Sequence, residues 1–331
     1  MIQVTSFTLL KDNKKVRVEL SDSFILLMRE KIFSKFKSIN KFSKIIGFSK
    51  DKVTFWLTTK KHRSNIPVPY LLIVLHHLDI DLELALKQIT NFSTQGCHTT
   101  ATLPQKIDIN EQLIIGIGLY VGDGYTSKKL PRIVFINSDP GLISFFFHWI
   151  KRNFRVHENE LYASVYTSQH DMQRFLNILH GLNIRCKFYK NKKPHHKTCC
   201  KLHFDNAVYR YLLDSLITLI QDLCLKRKAF AIEYLKGIFA AEGCIYLSKR
   251  RSPQLFIEMH IGKNIDHVGQ LFNFLNITHK VYARPLQRKK ISVYRKEQLK
   301  RLRHLNLFEI YPQKKEKLDI ASMNYPLNRK F

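Results

Sequence analysis

Two carboxylates stand out by position. Asp123 is the penultimate residue of "GIGLYVGDG" (Gly116–Gly124), and Glu242 that of "LKGIFAAEG" (Leu235–Gly243), 119 residues further on. Each stretch has glycine at its third position, a small residue at its seventh, an acid at its eighth and glycine at its ninth. If each stretch ends a helix, Gly118 and Gly122 share one face, and so do Gly237 and Ala241. Faces of small residues let two helix backbones approach closely. That contact has to offset about 1 kcal/mol of helix stability lost at each interior glycine. Gly124 and Gly243 fit the left-handed residue that ends a helix. The acids then stand at helix C-termini, where the dipole disfavours negative charge, and side by side they repel each other. A divalent cation removes both objections. Mg2+, or Mn2+ in its place, takes carboxylate oxygens, keeps several waters and accepts phosphate oxygens. Two carboxylates holding such an ion against a nucleic-acid backbone can activate water and stabilise a leaving oxygen.

The composition points to the same partner. Lys and Arg number 55 against 26 Asp and Glu, a formal net charge of +29 in a chain of 331 residues. A surplus of that size suits a polyanion, with nucleic acid first and an anionic membrane second. No apolar run is long enough to span a membrane. The N-terminus, "MIQVTSFTLLKDNKK", has no basic start followed by an apolar core, so an intracellular, non-secreted protein is expected, in cytoplasm, nucleoid or organelle matrix. The six cysteines include no C-x-x-C pair and are expected reduced. "HHKTCC" (His195–Cys200) could suggest zinc, but adjacent cysteines on a strand point to opposite faces, so a basic hairpin with buried thiols is the better expectation.

The motifs need elements to carry them. Residues 91–108 are polar and without period, and are expected to be a linker. Residues 109–226 and 227–331 then read as two copies of one unit. Each runs helix, strand pair, helix, strand pair, helix, with one helix added in the first copy between "LYASVYTS" and "CKFYK". The strands carry lysine and arginine in quantity. Lys190, Lys192 and Lys193 mark the first copy, and Lys249, Arg250, Arg251, Arg288 and Lys289 the second. At corresponding places in both copies they suggest a phosphate-tracking surface. Residues 1–90 form a further block. "IQVTSFTLLKDNKKVRVEL" reads as a hairpin turning at "KDNKK". In "NKFSKIIGFSKDKVTFWL" (Asn40–Leu57), Gly47 suits a sharp turn between two helices and Ser49 an N-cap for the second. This resembles a helix-turn-helix, with Lys50, Asp51, Thr54 and Phe55 facing the major groove. A small helical bundle that only packs is the alternative.

From about Asn110 to the C-terminus, the two motifs and the repeat order resemble the LAGLIDADG family of homing endonucleases in its single-chain, two-repeat form. The resemblance implies an α+β fold of two pseudo-twofold-related αββαββα repeats, here preceded by a small mainly helical domain. It implies motif helices at the interface and sheets lying in the DNA major groove. It also implies Mg2+-dependent cutting of both strands across the minor groove at a long asymmetric site by a monomer. The metal-binding acids of the family match Asp123 and Glu242, and an assisting basic residue on a late strand of each repeat falls near Lys201 and Lys290. The earlier acid of the family name is replaced here by Val121 and Ala240, at a variable interface position. No splicing nucleophile opens the chain, so a free-standing protein is expected. Two alternatives stay open: a DNA-binding transcription regulator that has lost cleavage, and an intron maturase that binds RNA.

Overall fold

A computed structural model describes residues 2–58, 65–94, 100–125, 132–167, 172–190, 198–247, 255–260, 264–282 and 289–323. The N-terminal block contains β1 (Ile2–Thr5), α1 (Ser6–Leu10), β2 (Val16–Leu20), α2 (Asp22–Phe36), α3 (Ile39–Ile45), α4 (Lys50–Trp56), β3 (Asn65–Pro67), α5 (Val68–His77), α6 (Leu82–Leu86), β4 (Ile89–Thr94), β5 (Thr100–Ala101) and β6 (Lys106–Ile109). It is rich in helix, as expected, but it also has a four-stranded sheet of order β3-β2-β4-β5.

Two expectations are corrected here. β1 and β2 do not form a hairpin, because α1 intervenes and β1 pairs antiparallel with β6 instead, Ile2 opposite Ile109. Much of the expected linker is strand: residues 91–94, 100–101 and 106–108 belong to β4, β5 and β6, while 95–99 lie outside the described residues. In β6 the polarity reflects one solvated face, since Lys106 and Asp108 are exposed while Ile107 and Ile109 are buried. Asn206 and Tyr209 donate to the carbonyls of Thr100 and Thr102, so this segment is fastened to the following unit as well.

The first unit comprises α7 (Glu111–Asp123), β7 (Gly124–Tyr125), β8 (Ile133–Asn137), α8 (Pro140–Phe154), β9 (Leu161–Thr167), α9 (Met172–Gly181), β10 (Arg185–Lys190), β11 (Cys199–Phe204) and α10 (Ala207–Cys224). The second comprises α11 (Lys228–Glu242), β12 (Cys244–Leu247), β13 (Leu255–Met259), α12 (Ile265–Phe274), β14 (Lys280–Tyr282), β15 (Lys290–Val293), α13 (Lys296–His304) and α14 (Pro312–Met323). The sheet orders correspond: β7-β8-β11-β9 in the first unit and β12-β13-β15-β14 in the second. The extra α9 brings an extra strand, because β10 returns parallel to β9 on its outer side. β10 and β11 therefore both border β9 and do not pair as a hairpin.

Local chemistry starts the helices where the site needs them. Asn110 caps α7, its side chain accepting from the Leu113 N–H at 2.9 Å. Asp139 does the same for α8 at Leu142, with Pro140 as the first helical residue. In the N-terminal block Gly47 takes φ +76 between α3 and α4, and the Ser49 hydroxyl accepts from the Lys52 N–H at 3.4 Å.

Candidate metal and nucleic-acid site

α7 is buried from Leu113 to Tyr120 and α11 mainly between Tyr234 and Ala240, and their small residues explain how close they come. A Cβ added at Gly118 would overlap the Tyr234 carbonyl, and one at Gly237 would overlap the Ile115 carbonyl and the Leu119 nitrogen. At Gly122 it would overlap the Ala241 Cβ and lie 3.4 Å from Glu242 Cγ. Gly118 meets Gly237 and, one turn later, Gly122 meets Ala241, so the helices run parallel and end side by side. Gly116 opens a different contact: its missing Cβ leaves room for the Trp149 ring of α8.

The terminal glycines work otherwise than expected. Gly124 (φ −76, ψ 138) and Gly243 (φ −65, ψ 122) are extended, because a strand starts immediately after each helix. Glycine is required there for space. A Cβ at Gly124 would overlap the Tyr120 carbonyl, and one at Gly243 would lie 2.9 Å from the Phe308 ring.

The acids thus meet at one end of the helix pair, both half-buried. Asn137 of β8 donates to Asp123 Oδ2 at 2.6 Å. Burial pushes the Asp123 carboxyl up to about 7, the Glu242 charge adds to the rise, and Asn137 and Lys314 oppose it. Lys314 reaches in from α14, its ammonium donating to the carbonyls of Phe239 (3.3 Å), Ala240 (2.6 Å) and Ala241 (3.3 Å) at the end of α11. Burial pushes Lys314 down to about 8, while the charges of Asp123 and Glu242 hold it up. Among the described residues no group of three or more His, Cys, Asp or Glu gathers for a metal. The donor set is two carboxylates, which suits a hydrated divalent cation that completes its sphere with water and phosphate oxygens.

The Asp123 environment carries a stability consequence. Its folded pKa lies above the ordinary 3.8, so the favourable linkage is present below that value and lost as pH rises through about 7. Ionised Asp123 therefore costs the metal-free protein on the order of 2–4 kcal/mol above pH 7. Asp123→Asn should raise the melting temperature of metal-free protein at pH 8, with a gain that shrinks toward pH 5. A melting temperature equal to wild type across that range would contradict the assignment of a strained carboxylate.

Strand register sorts the basic residues. Lys187, Ser164, Lys201 and Ile136 form one row across β10, β9, β11 and β8, on the face opposite buried Ala163, Val165, Cys200 and Leu202. Tyr162 stacks on His203 (ring centroids 4.6 Å apart) and Tyr166 on Tyr189 (5.1 Å) on that face, and the Lys201 ammonium lies 4.6 Å from the Tyr166 ring. Alternation puts Lys187, not Lys190, in the row with Lys201. Lys190 is exposed at the end of β10, opposite Thr167, on the other face. In the second sheet Lys290 bonds both Glu258 oxygens at 2.8 and 3.0 Å, beside the Tyr282 ring, so its charge is committed across the sheet. On the same face Tyr246 stacks on Phe256, and Phe256 meets Tyr294 at a tilt of 39°. Lys289 is exposed, as are Lys50, Asp51, Thr54 and Phe55 on the outer side of α4, above buried Val53 and Trp56. Lys192, Lys193, Lys249, Arg250, Arg251 and Arg288 lie outside the described residues, as does the "HHK" of "HHKTCC". Cys199 and Cys200 of that stretch do alternate, half-buried and buried. No described helix is long and apolar enough to cross a membrane.

No family model matches the chain, and no curated protein does. Among solved structures the chain is similar to the homing endonuclease I-DmoI in complex with DNA and Mn, at 16% identity over 60% of this chain and 98% of that one, with a TM-score of 0.33. It is similar to the N-terminal LAGLIDADG domain of DUF199/WhiA at 13% identity, over 60% of this chain and 83% of that one, TM-score 0.31. It is also similar to the LAGLIDADG homing endonuclease I-LtrWI bound to target DNA at 12% identity, over 66% of this chain and 92% of that one, TM-score 0.35.

Proposed function

We propose that this chain is a LAGLIDADG-type, site-specific DNA endonuclease that cuts both strands with Mg2+. The observation that carries this is the parallel pair α7 and α11, which brings Asp123 and Glu242 together at their common end although the arrangement costs stability. Asp123 and Glu242 would hold the cation. Asn137 would orient the first of them through its bond to Oδ2. Bound there, Mg2+ would supply Lewis-acid activation of water and charge stabilisation at the scissile phosphate. The open sheet faces, with Lys187 and Lys201 among stacked aromatics, would lie along the DNA and track its phosphates. The exposed side of α4 would add contacts through Lys50 and Thr54, lengthening the recognised site.

The test is Mg2+-dependent cleavage of DNA that carries the uninterrupted allele of the locus hosting this gene. Linear products with short 3′ overhangs are expected. Binding without cutting in Mg2+ or Mn2+ would favour a regulator, for which α3 and α4 would serve as the DNA-reading pair. With a net charge of +29, affinity for that DNA should fall about 10^3-fold or more between 50 and 200 mM salt. A filter-binding titration that stays flat with salt would contradict a phosphate-tracking surface.

A further inference from the structure

Lys314 belongs to neither motif, yet it reaches the acidic end of α11. The last carbonyls of a helix lack intrahelical partners. Here a single ammonium, with its three donors, meets the carbonyl of Phe239, which the Gly243 N–H bonds as well, and those of Ala240 and Ala241. The next residue along is Glu242. The lysine is not a loose surface group. Its ammonium lies 4.7 Å from the Tyr311 ring, and its helix α14 is anchored by buried Leu318 and by an ion pair between Arg303 Nε and Asp319 Oδ1 at 2.7 Å. The turn that carries Glu242 is therefore held through its backbone, from α14.

We propose that Lys314 is a positioning residue that fixes the last turn of α11, so that Glu242 is held where a divalent cation can use it, and that α14 is thereby part of the site. This rests on the metal-dependent nuclease proposed above. Two effects of removing the ammonium oppose each other, which makes the proposal testable by sign. Loss of a positive charge near Asp123 and Glu242 would by itself tighten cation binding. Loss of positioning would weaken it, and groups that orient metal ligands typically contribute about 10–100-fold in metal affinity.

The probe is Mn2+ alone, titrated into the full chain and followed by electron paramagnetic resonance, with Glu242→Gln as the control that ties the signal to this site. Lys314→Met should bind Mn2+ about tenfold more weakly, and Lys314→Arg, which keeps charge and donors, should recover most of that loss. Binding by Lys314→Met that is unchanged or tighter would overturn the proposal. So would a loss that Lys314→Arg does not recover. If Lys314→Met does not fold, Lys314→Gln carries the same expectation. Wild-type protein showing no Glu242-dependent Mn2+ signal would instead overturn the metal-site assignment. The clamp is then decided by hydrogen exchange at the Gly243 amide, which bonds the Phe239 carbonyl at 3.0 Å. Faster exchange in Lys314→Met supports it, and an unchanged rate rejects it.

Discussion

Replacing Asp123 with Asn, or Glu242 with Gln, should slow DNA cleavage by a factor on the order of 10^3 or more, roughly 4 kcal/mol of barrier. DNA affinity should hardly change. Either substitution keeps the size of the side chain and removes the negative charge, so the α7–α11 contact is undisturbed while the cation loses half of its protein charge. The electrostatic strain that burial and Glu242 impose on Asp123 is also relieved. Loss of cutting should therefore accompany a gain in thermal stability, a combination that a merely misfolded variant cannot produce. Single-turnover cleavage and gel shifts in Ca2+ measure the two sides. Wild-type rates in both variants would remove these residues from the site.

The second large effect is structural. Gly237→Val should destabilise the protein by about 3 kcal/mol or more, at the upper end of what overpacking a core costs. The added Cβ would meet the backbone of Ile115, Gly118 and Leu119, and backbone cannot swing aside as a side chain can. Relief would require the helices to separate, which takes Glu242 away from Asp123. Activity should fall together with stability here, in contrast to the acid substitutions. Ala241→Ser, close in volume, should do neither. Urea melts followed by near-ultraviolet circular dichroism check both variants, and a Gly237→Val melt superimposable on wild type would contradict the close approach.

The centre of the site was legible in the sequence because its residues are unusual in type and repeat in order. Four-residue spacing of small side chains means something definite on a helix, and it means the same thing twice. Asn137 and Lys314 carried no comparable signal. An asparagine ending a strand and a lysine in "YPQKKEKL" look like ordinary polar residues until tertiary packing brings β8 and α14 to the acids. The fate of β10 was likewise hidden. Its alternation fits a strand wherever it pairs, and only the return through α9 sets it parallel to β9, with Lys187 rather than Lys190 in line with Lys201. The terminal glycines illustrate a different limit. A helix-ending glycine usually signals left-handed backbone, but at Gly124 and Gly243 the requirement is room beside Tyr120 and Phe308.

The pairing of β1 with β6 bears on how the protein is made. Gln3 bonds Asp108 across 105 residues of chain, and β6 is followed directly by the N-cap of α7. As the chain leaves the ribosome, β1 has no partner until the first motif helix is about to emerge. Domains generally fold as units during synthesis, N-terminal first, and here the first block closes only when its last strand, β6, has been made. Its completion is timed to the birth of the helix that carries Asp123.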